Sequence, residues 1–238
     1  MANAIAIVGE SGSGKSTSLA NIPDLNIKGL DPKETFIINV KGKPLPMRGW
    51  KNLYKEIDVT KPPQEGNYLA TTDTILIIKT LQYINTNRLD IKNVVLEDSQ
   101  YVMSEEFMAN ALRSGFDKFN KMAKNMYDII NCGILMRDSI NFIMITHNDE
   151  EEGKSKIKTL GKLLDDKVNL AGLFTVVLYT TTKTSQQGTV YNFVTNKYID
   201  DRGIHIMAKS PVGMFSDLLI RNDLGLVIDT MEKYNNGQ

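Results

Sequence analysis

The sequence predicts an α/β fold with a mostly parallel central sheet, flanked by helices and extended by antiparallel strands near the C-terminus. Three apolar segments of strand length support this prediction: 5–8, 94–96 and 141–146. A glycine-rich turn follows the first, an acidic pair the second and a Thr-His pair the third. In the last third of the chain, short apolar runs separated by turn residues indicate the antiparallel extension.

Length and charge exclude several classes of protein. The 238-residue chain allows one domain or two small ones, and we predict a single domain over residues 1–238. Its 28 basic and 28 acidic residues exclude a globally basic nucleic-acid-binding protein, although a local basic patch is compatible with that balance. Cys132 is the only cysteine, which excludes a disulfide framework and favours a reducing compartment. Without a signal peptide or a run of about 18 apolar residues, we predict a cytoplasmic protein with no membrane partner.

The segment 9–17, GESGSGKST, matches the P-loop pattern G-x-x-x-x-G-K-S/T in a strand–loop–helix context. Its glycines let consecutive backbone N–H groups form a concave anion site, to which the following helix would add its positive N-terminal end. We expect Lys15 to reach the β- and γ-phosphates, Ser16 to bind Mg²⁺ and Thr17 to contact another phosphate oxygen. The predicted nucleotide-binding residues are Gly9, Glu10, Ser11, Gly12, Ser13, Gly14, Lys15, Ser16 and Thr17. The segment thus predicts binding of ATP and Mg²⁺; an ordinary Gly/Ser turn is the alternative.

An acidic pair follows the apolar segment 94–96. Glu97 and Asp98 stand where a P-loop protein places the acid that holds the Mg²⁺ shell. Because successive strand residues point to opposite faces, both acids can face the metal only if the strand has ended. We assign Asp98 to Mg²⁺ together with Ser16, and Glu97 to polarising the attacking water. Capping of the next helix by the pair is the alternative.

A histidine follows the apolar segment 141–146. His147 can hydrogen-bond a γ-phosphate or the attacking water and report hydrolysis by moving. A structural role, in which His147 bonds a neighbouring loop, is the alternative.

Farther along, Lys209 ends a predicted strand over 204–209 and can project towards a phosphate of its own site or of a neighbouring subunit.

Two segments rich in basic residues are candidate contacts for single-stranded DNA. The first, 41–55, interleaves basic side chains with Trp50 and Tyr54, a combination that can hold a phosphate backbone and stack bases. The second, 149–166, carries acids and then lysines and predicts a mobile loop. The candidate DNA contacts are Lys41, Lys43, Arg48, Lys51, Lys154, Lys156 and Lys158. Solvated surface loops are the alternative for both segments.

Periodicity predicts the remaining elements. Thr72 and Asp73 begin a helix whose apolar face carries Ile75, Ile78, Leu81 and Ile84. A second, long helix is predicted from Ser104 to Ile129. Strands are predicted over 174–180, 190–195 and 204–209, and the segment 222–234 closes over the fold.

The nucleotide motifs, the Thr146-His147 strand end and the antiparallel tail together resemble the RecA-like P-loop ATPases of bacteriophages. The resemblance is strongest to short, core-only members related to phage single-strand annealing proteins, and the segments 43–54 and 221–227 share it. It implies that the strand 141–146 lies between the P-loop strand and the Glu97 strand. It also implies a homo-oligomer in which Lys209 reads the γ-phosphate near a subunit boundary; Arg202 and Arg113 are the other candidates for that role. Residues 148–166 would form a DNA-facing loop.

One departure from the RecA-like pattern affects the predicted chemistry. Such proteins usually carry the catalytic glutamate after the second strand, which in this chain is predicted over 35–40. The chain there reads Val40-Lys41-Gly42, without an acid. Either Glu97 substitutes for that glutamate or hydrolysis is slow.

The resemblance implies a Mg²⁺-dependent ATPase that binds single-stranded DNA in phage recombination or replication, within the infected bacterial host. A nucleotide-gated scaffold or partner-loading protein without DNA contact is the main alternative. A small-molecule kinase is disfavoured because the candidate lid, 149–166, contains no arginine. An ABC-type ATPase is disfavoured because the chain lacks an LSGGQ-like signature.

Overall fold

A long, mostly parallel sheet forms the centre of the computed structural model, which describes residues 1–58, 65–112, 114–115, 117–186 and 188–238. The strands are β1 Asn3–Val8, β2 Thr35–Asn39, β3 Tyr68–Ala70, β4 Asn93–Glu97, β5 Asn141–Thr146, β6 Asn148–Glu151, β7 Lys154–Ile157, β8 Val176–Ser185, β9 Gly188–Val194, β10 Tyr198–Ile199, β11 His205–Ile206 and β12 Leu219–Arg221. The α-helices are α1 Trp50–Leu53, α2 Thr74–Asn87, α3 Gln100–Ala109, α4 Asp117–Ile134, α5 Lys162–Lys167, α6 Leu170–Leu173 and α7 Leu224–Asn235. Short 3₁₀ helices cover Ser16–Leu19, Pro23–Leu25 and Pro32–Glu34.

The main sheet has the strand order β12-β9-β8-β1-β5-β4-β2-β3. All neighbours from β8 to β3 are parallel, whereas β9 and β12 add antiparallel strands at one side. The predicted fold class is therefore confirmed, including the position of β5 between β1 and β4, where Ile143 pairs with both Ile5 and Val95. Because these three strands are parallel neighbours, their carboxyl ends lie side by side. The P-loop, the acidic pair and His147 consequently meet at one edge of the sheet.

Both faces of the main sheet are buried, which explains why its central strands are apolar without alternation. One face packs Ala6, Phe142 and Met144 against α2 and α4, and the other packs Ile7 and Ile143 against α7. Every residue of β5 is buried. Burial of one such Ile or Phe side chain contributes about 1.5–3 kcal/mol, so the strand ends that form the site stand on a rigid base.

The helix predicted over residues 104–129 is wrong as a single element, because two helices, α3 and α4, occupy this region. α3 ends at Ala109 with Asn110 as its C-cap, and Gly115 between the helices has a positive φ of 97°. That conformation is readily accessible to glycine and is uncommon for residues with a side chain. Phe116, which belongs to the predicted apolar pattern, lies outside the described residues, as do residues 61–64 of the irregular region.

The mobile loop predicted over residues 149–166 is instead largely ordered. β6 and β7 form an antiparallel hairpin, and α5 follows. The hairpin turns at Glu152 and Gly153, which have positive φ angles of 51° and 73°. The register places Asp149 opposite Lys156, whose ammonium pairs with the Glu151 carboxylate. The acids followed by lysines therefore form a cross-strand pattern of opposite charges. This hairpin belongs to a second sheet of order β10-β11-β7-β6.

The remaining elements follow the predictions in type but differ in register or length. Asp73 caps α2 by accepting from the N–H groups of Ile75 and Leu76. The buried face of α2 carries Ile77, Thr80, Leu81 and Ile84, whereas the side chain of Ile75 is exposed. The strand predicted over 204–209 is shorter, comprising β11 and an isolated bridge from Lys209 to Val177. The C-terminal segment is the helix α7, which covers one face of the sheet. Among the described helices, none has the length and apolar composition that a bilayer crossing requires.

Candidate nucleotide-binding site

The P-loop leaves the buried strand β1 at Val8 and turns through two glycines with left-handed backbone conformations. The φ angles of Gly12 and Gly14 are 77° and 88°. Gly14 also faces the ring of Tyr191, since a Cβ atom there would lie 2.5 Å from Tyr191 Cδ1. Both the backbone and the available space therefore require glycine at position 14.

The helix expected after the P-loop is only a four-residue 3₁₀ helix, Ser16–Leu19, and Ala20 is extended. Pro23 lies just beyond, and it disfavours helix for the residue before it. A helix this short has almost no macrodipole, because the macrodipole sums aligned peptide units. The prediction that a helix N-terminus supplies positive charge here is wrong, and the phosphate-binding capacity rests on loop N–H groups and Lys15.

Lys15 is buried and holds the P-loop together from inside. Its Nζ atom donates to the carbonyl oxygens of Gly9, at 2.9 Å, and Glu10, at 2.6 Å. Burial lowers the pKa of the ammonium, while the nearby carboxylates of Glu97 and Asp98 oppose that shift. A positive charge is thus placed on the floor of the site, where a polyphosphate would compensate it.

Glu97 faces the P-loop serine. The Ser16 hydroxyl donates to Glu97 Oε1, and Glu97 Oε2 is buried without a hydrogen-bond partner among the described residues. Burial raises the pKa of Glu97 to about 7, although the bond from Ser16 opposes the shift. The sequence assigns Asp98 to the Ser16 side of the site, whereas in the structure Glu97 is the acid that contacts Ser16.

The backbone at Asp98 explains why Glu97, and not Asp98, faces Ser16. β4 ends at Glu97, and Asp98 adopts a left-handed conformation with φ of 58°. The turn directs the Asp98 carboxylate towards Lys43, whose Nζ lies 2.8 Å from Oδ2, and towards His147, whose Nε2 lies 3.9 Å from Oδ1. Because the strand has ended, both carboxylates line the same cavity, as the sequence argument required.

His147 directly follows β5, and its Nε2 atom lies 3.9 Å from Asp98 Oδ1. Burial lowers the pKa of its imidazole, and the positive charge of Lys15 lowers it further. A neutral imidazole can either accept or donate a hydrogen bond at neutral pH. The backbone N–H of His147 donates to Gln100 Oε1 at 3.3 Å, as does the Thr146 hydroxyl at 3.4 Å. This position is compatible with the predicted phosphate-sensing role, which stays a prediction.

These groups surround one open cavity of about 360 Å³. The residues that line it are Ser11, Gly12, Gly14, Lys15, Ser16, Thr17, Asn39, Lys43, Pro44, Leu45, Pro46, Glu97, Asp98, His147 and Tyr191. Six of them are absent from the predicted nucleotide site: Asn39, Lys43, Pro44, Leu45, Pro46 and Tyr191. Lys43 was predicted as a DNA contact, and no signal marked Tyr191 because its strand lies far along the chain. Asn39 carried a local signal, since it is a polar residue that ends an apolar strand.

Lys209 and Arg202 lie outside this cavity. Lys209 pairs through its backbone with Val177, and burial lowers the pKa of its ammonium. Arg202 pairs with Glu150 and Asp200 on the second sheet, 3.8 Å from the carboxylate of Glu10. Neither cation therefore lines this cavity of its own chain. The third candidate, Arg113, lies outside the described residues.

The aromatic residues of the segment 41–55 face the core. Trp50 packs against Tyr68, with ring centroids 5.3 Å apart, and Tyr54 is buried. The Tyr54 ring is therefore not accessible for base stacking, whereas Trp50 is half-buried, and the contact of this segment with single-stranded DNA stays a prediction. Lys41 pairs with Glu105, and Lys51 lies 5.8 Å from the Trp50 ring centroid. Arg48 is exposed on the same segment.

The donor set at Ser16 fits Mg²⁺ and not a cation that needs several protein ligands. Among the described residues, no three His, Cys, Asp or Glu side chains are grouped to hold a metal ion. Mg²⁺ bound with a nucleotide uses one or two protein oxygens, phosphate oxygens and water. The unpartnered Glu97 Oε2 beside the Ser16 hydroxyl supplies such oxygens.

Comparison with known proteins gives a structural likeness but no sequence match. No protein-family model matches the chain, and no curated sequence matches it. The crystal structure of a KaiC-like protein from the hyperthermophilic archaeon Pyrococcus horikoshii OT3 is similar, with a TM-score of 0.44 and 11% sequence identity. The likeness covers 86% of this chain and 88% of that protein. At this level of similarity, the fold assignment rests on the strand order and not on the match.

Proposed function

We propose that this protein binds ATP with Mg²⁺ and hydrolyses its terminal phosphoanhydride bond. The observation that carries the proposal is the contact between the Ser16 hydroxyl and the buried carboxylate of Glu97, beside the Lys15 ammonium. The serine and lysine of a P-loop, together with an acid at the end of a nearby strand, are the groups that hold a metal-bound triphosphate. The sequence motif and the geometry support the same ligand.

Each group would have a separate role in binding. The N–H groups of the P-loop and the Lys15 ammonium would bind the β- and γ-phosphates, after Lys15 exchanges the Gly9 and Glu10 carbonyls for phosphate oxygens. Ser16 and Glu97 would hold Mg²⁺, which neutralises phosphate charge as the reaction proceeds. The raised pKa of Glu97 makes cation binding release a proton when the carboxyl is protonated.

Asp98 and His147 would position the attacking water. The oxygen of that water forms a bond to Pγ, the bond between Pγ and the bridging oxygen breaks, and ADP leaves with the electron pair. The proton of the water passes to the Asp98 carboxylate and then to phosphate or solvent. His147, held by Gln100 through its backbone, would hydrogen-bond the γ-phosphate and lose that partner when inorganic phosphate departs.

The cellular role is proposed separately from the chemistry. By its resemblance, the protein would be a homo-oligomeric phage ATPase that binds single-stranded DNA in recombination or replication. Lys154 and Lys158 are exposed on the hairpin that follows β5, close in sequence to His147. Such side chains can neutralise a phosphate backbone.

A nucleotide-gated scaffold or partner-loading protein is the second candidate, and one observation favours it. The hairpin lysines stand opposite acids, with Lys154 facing Glu151 and Lys156 facing Asp149. This pairing reduces the positive field that a nucleic acid would meet. In this second role, the hairpin would move in response to nucleotide binding without contacting DNA.

ATP binding and release of inorganic phosphate, each measured with and without Mg²⁺, test the chemical proposal. We expect wild-type protein to bind ATP and release phosphate, and Lys15→Ala to lose both while keeping its fold by circular dichroism. Lys79→Ala, an exposed change on α2, is the matched control and should behave as wild type. Failure of the wild type to bind ATP would overturn the proposal.

Fluorescence anisotropy with labelled single-stranded DNA distinguishes the two cellular roles. Salt-sensitive binding that weakens in the Lys154→Ala/Lys158→Ala double variant, but not in Lys79→Ala/Lys233→Ala, would support DNA binding. Absence of binding below micromolar concentration, with ATPase activity intact, would favour the scaffold. Mass in solution with and without ATP tests the homo-oligomer.

A further inference from the structure

We propose that Lys43 is a γ-phosphate ligand supplied by the same chain, which exchanges the Asp98 carboxylate for the terminal phosphate of ATP. This inference rests on the proposed function and assigns a nucleotide-sensing role to a residue that the sequence placed on a DNA-binding segment. It makes the loop from Lys41 to Met47 a second part of the molecule, besides His147, that responds to the γ-phosphate.

The position of Lys43 in the cavity is the first observation that supports this proposal. Its Nζ atom lies 2.8 Å from Asp98 Oδ2, and its side chain lines the cavity that Lys15, Ser16 and His147 also line. The P-loop forms one wall of that cavity, and the segment from Lys43 to Pro46 belongs to the wall that follows β2. A triphosphate whose β-phosphate lies on the P-loop would direct its terminal phosphate towards the carboxyl ends of β4 and β5, where Lys43 already lies.

The backbone of Lys43 is held by a buried side chain. The Asn39 amide group donates from Nδ2 to the Lys43 carbonyl at 2.8 Å, and its Oδ1 accepts from the Gly42 N–H at 2.8 Å. Asn39 is only 1% exposed. Gly42 turns the chain with a φ of 63°. Asn39 therefore fixes the turn, so that little conformational entropy is lost when Lys43 binds a ligand.

The ammonium itself has two partners and room to move between positions. Besides Asp98, it lies 4.7 Å from the centroid of the Tyr101 ring, within the range of a cation–π interaction. The hydrogen bond and charge of Asp98 outweigh partial burial and raise the pKa of Lys43, so the amine stays charged at neutral pH. The side chain is 52% exposed, whereas that of Asp98 is 11% exposed. The lysine is thus the member of the pair that can reorient.

Charge makes the exchange selective for ATP over ADP. The γ-phosphate carries more negative charge than one carboxylate and would attract the Lys43 ammonium. Movement of Lys43 would leave the Asp98 carboxylate to the attacking water, so binding and hydrolysis become coupled. ADP has no γ-phosphate, and Lys43 would then remain with Asp98.

The experiment compares Lys43→Ala with Lys55→Ala, which removes an exposed lysine from the other end of the same loop region. Affinities for ADP and for a non-hydrolysable ATP analogue are measured with Mg²⁺ by calorimetry, together with the turnover of ATP. We expect Lys43→Ala to weaken analogue binding about tenfold, to change ADP affinity less than twofold and to lower kcat at least tenfold. Lys55→Ala should match wild type, and Lys43→Arg should restore part of the preference for the ATP analogue.

The outcomes separate this inference from the proposed function. If wild type hydrolyses ATP and Lys43→Ala keeps the wild-type turnover, or loses ADP and ATP-analogue affinity equally, the assignment of Lys43 is wrong and the proposed function stands. If wild type binds neither nucleotide, both are wrong. Thermal unfolding of Lys43→Ala is the check on folding, and an intact transition with a reduced ratio of analogue to ADP affinity supports the assignment.

Discussion

The Ser16 hydroxyl and the Glu97 carboxylate are joined by a hydrogen bond across 81 residues of sequence. The bond links the P-loop to the end of β4 and leaves Glu97 Oε2 buried without a described partner. A buried carboxylate oxygen without a partner is costly unless a ligand compensates it. The pair is therefore a candidate divalent-cation site, whereas the Asp98 carboxylate is turned towards Lys43.

The first prediction separates the two acids by their effect on Mg²⁺. We expect Glu97→Gln to abolish the enhancement of ATP binding by Mg²⁺, because it removes the charged oxygen beside Ser16. Asp98→Asn should keep that enhancement and lose turnover at least tenfold, because it removes the acceptor of the water proton. Titration of nucleotide binding against Mg²⁺, with turnover in parallel, measures both effects. The reverse pattern would restore the assignment of Asp98 to the metal.

The second prediction concerns the two left-handed glycines of the P-loop. Alanine at a positive φ costs about 1–2 kcal/mol of folding free energy. At Gly12 nothing else lies within 4 Å of the added Cβ, whereas at Gly14 the Cβ would lie 2.5 Å from the Tyr191 ring. We expect Gly14→Ala to lower the free energy of unfolding by roughly 1 kcal/mol more than Gly12→Ala. Urea denaturation of both variants measures the difference.

Tyr191 provides the control for that comparison. In a Tyr191→Ala background the ring is absent, so only the backbone strain of Gly14→Ala remains. The two glycine substitutions should then cost the same free energy of unfolding within experimental error. An unchanged difference would show that Tyr191 does not restrict position 14.

The third prediction is a pH dependence of stability caused by Glu97 in buffer without divalent cations. Its folded pKa of about 7 lies above the ordinary value of 4.5, so the folded state binds the proton more tightly than the unfolded state. The stabilising contribution of the protonated carboxyl is complete below about pH 4.5 and declines as the pH rises through 7. The total change is on the order of 3 kcal/mol.

Denaturation of wild type and Glu97→Gln between pH 5 and 8.5 isolates this effect. Gln does not titrate, and groups shared by the two proteins cancel in the difference of their unfolding free energies. We expect wild type to lose stability relative to Glu97→Gln as the pH rises. A difference that is constant over this range would show that Glu97 is ionised throughout.

The fold and the location of the site follow from local sequence features. Uninterrupted apolar runs at β1, β4 and β5 specify strands buried on both faces, and the polar residues after them specify the edge where they meet. The hairpin was also readable in principle, because opposite charges at positions 149–151 and 154–156 flank a Glu-Gly turn. The run of acids followed by lysines predicts a mobile loop only if strand pairing is ignored. A turn at Gly153 pairs the two charged segments as antiparallel strands.

Which of the two acids, Glu97 or Asp98, contacts Ser16 could not be predicted from the sequence. The alternation of strand residues shows that the two acids diverge, but which of them faces Ser16 depends on where β4 ends and on the left-handed backbone of Asp98. The position of Lys43 depends likewise on an anchor by Asn39 and on an acid 55 residues away. Such contacts between distant parts of the sequence form only when the chain packs, whereas the P-loop can be recognised from a short stretch of sequence.

The last prediction concerns Gln100, a buried residue at the start of α3 that positions His147. Its Oε1 atom accepts from the His147 N–H and the Thr146 hydroxyl and so links the end of β4 to the end of β5. Gln100→Ala would leave two donors without their acceptor and cost about 1–3 kcal/mol of stability. If His147 reads the γ-phosphate, kcat should fall several-fold while ADP affinity is unchanged. Gln100→Glu, which keeps the acceptor oxygens, should retain more turnover than Gln100→Ala. Equal turnover in wild type and Gln100→Ala would show that this link does not position His147 for hydrolysis.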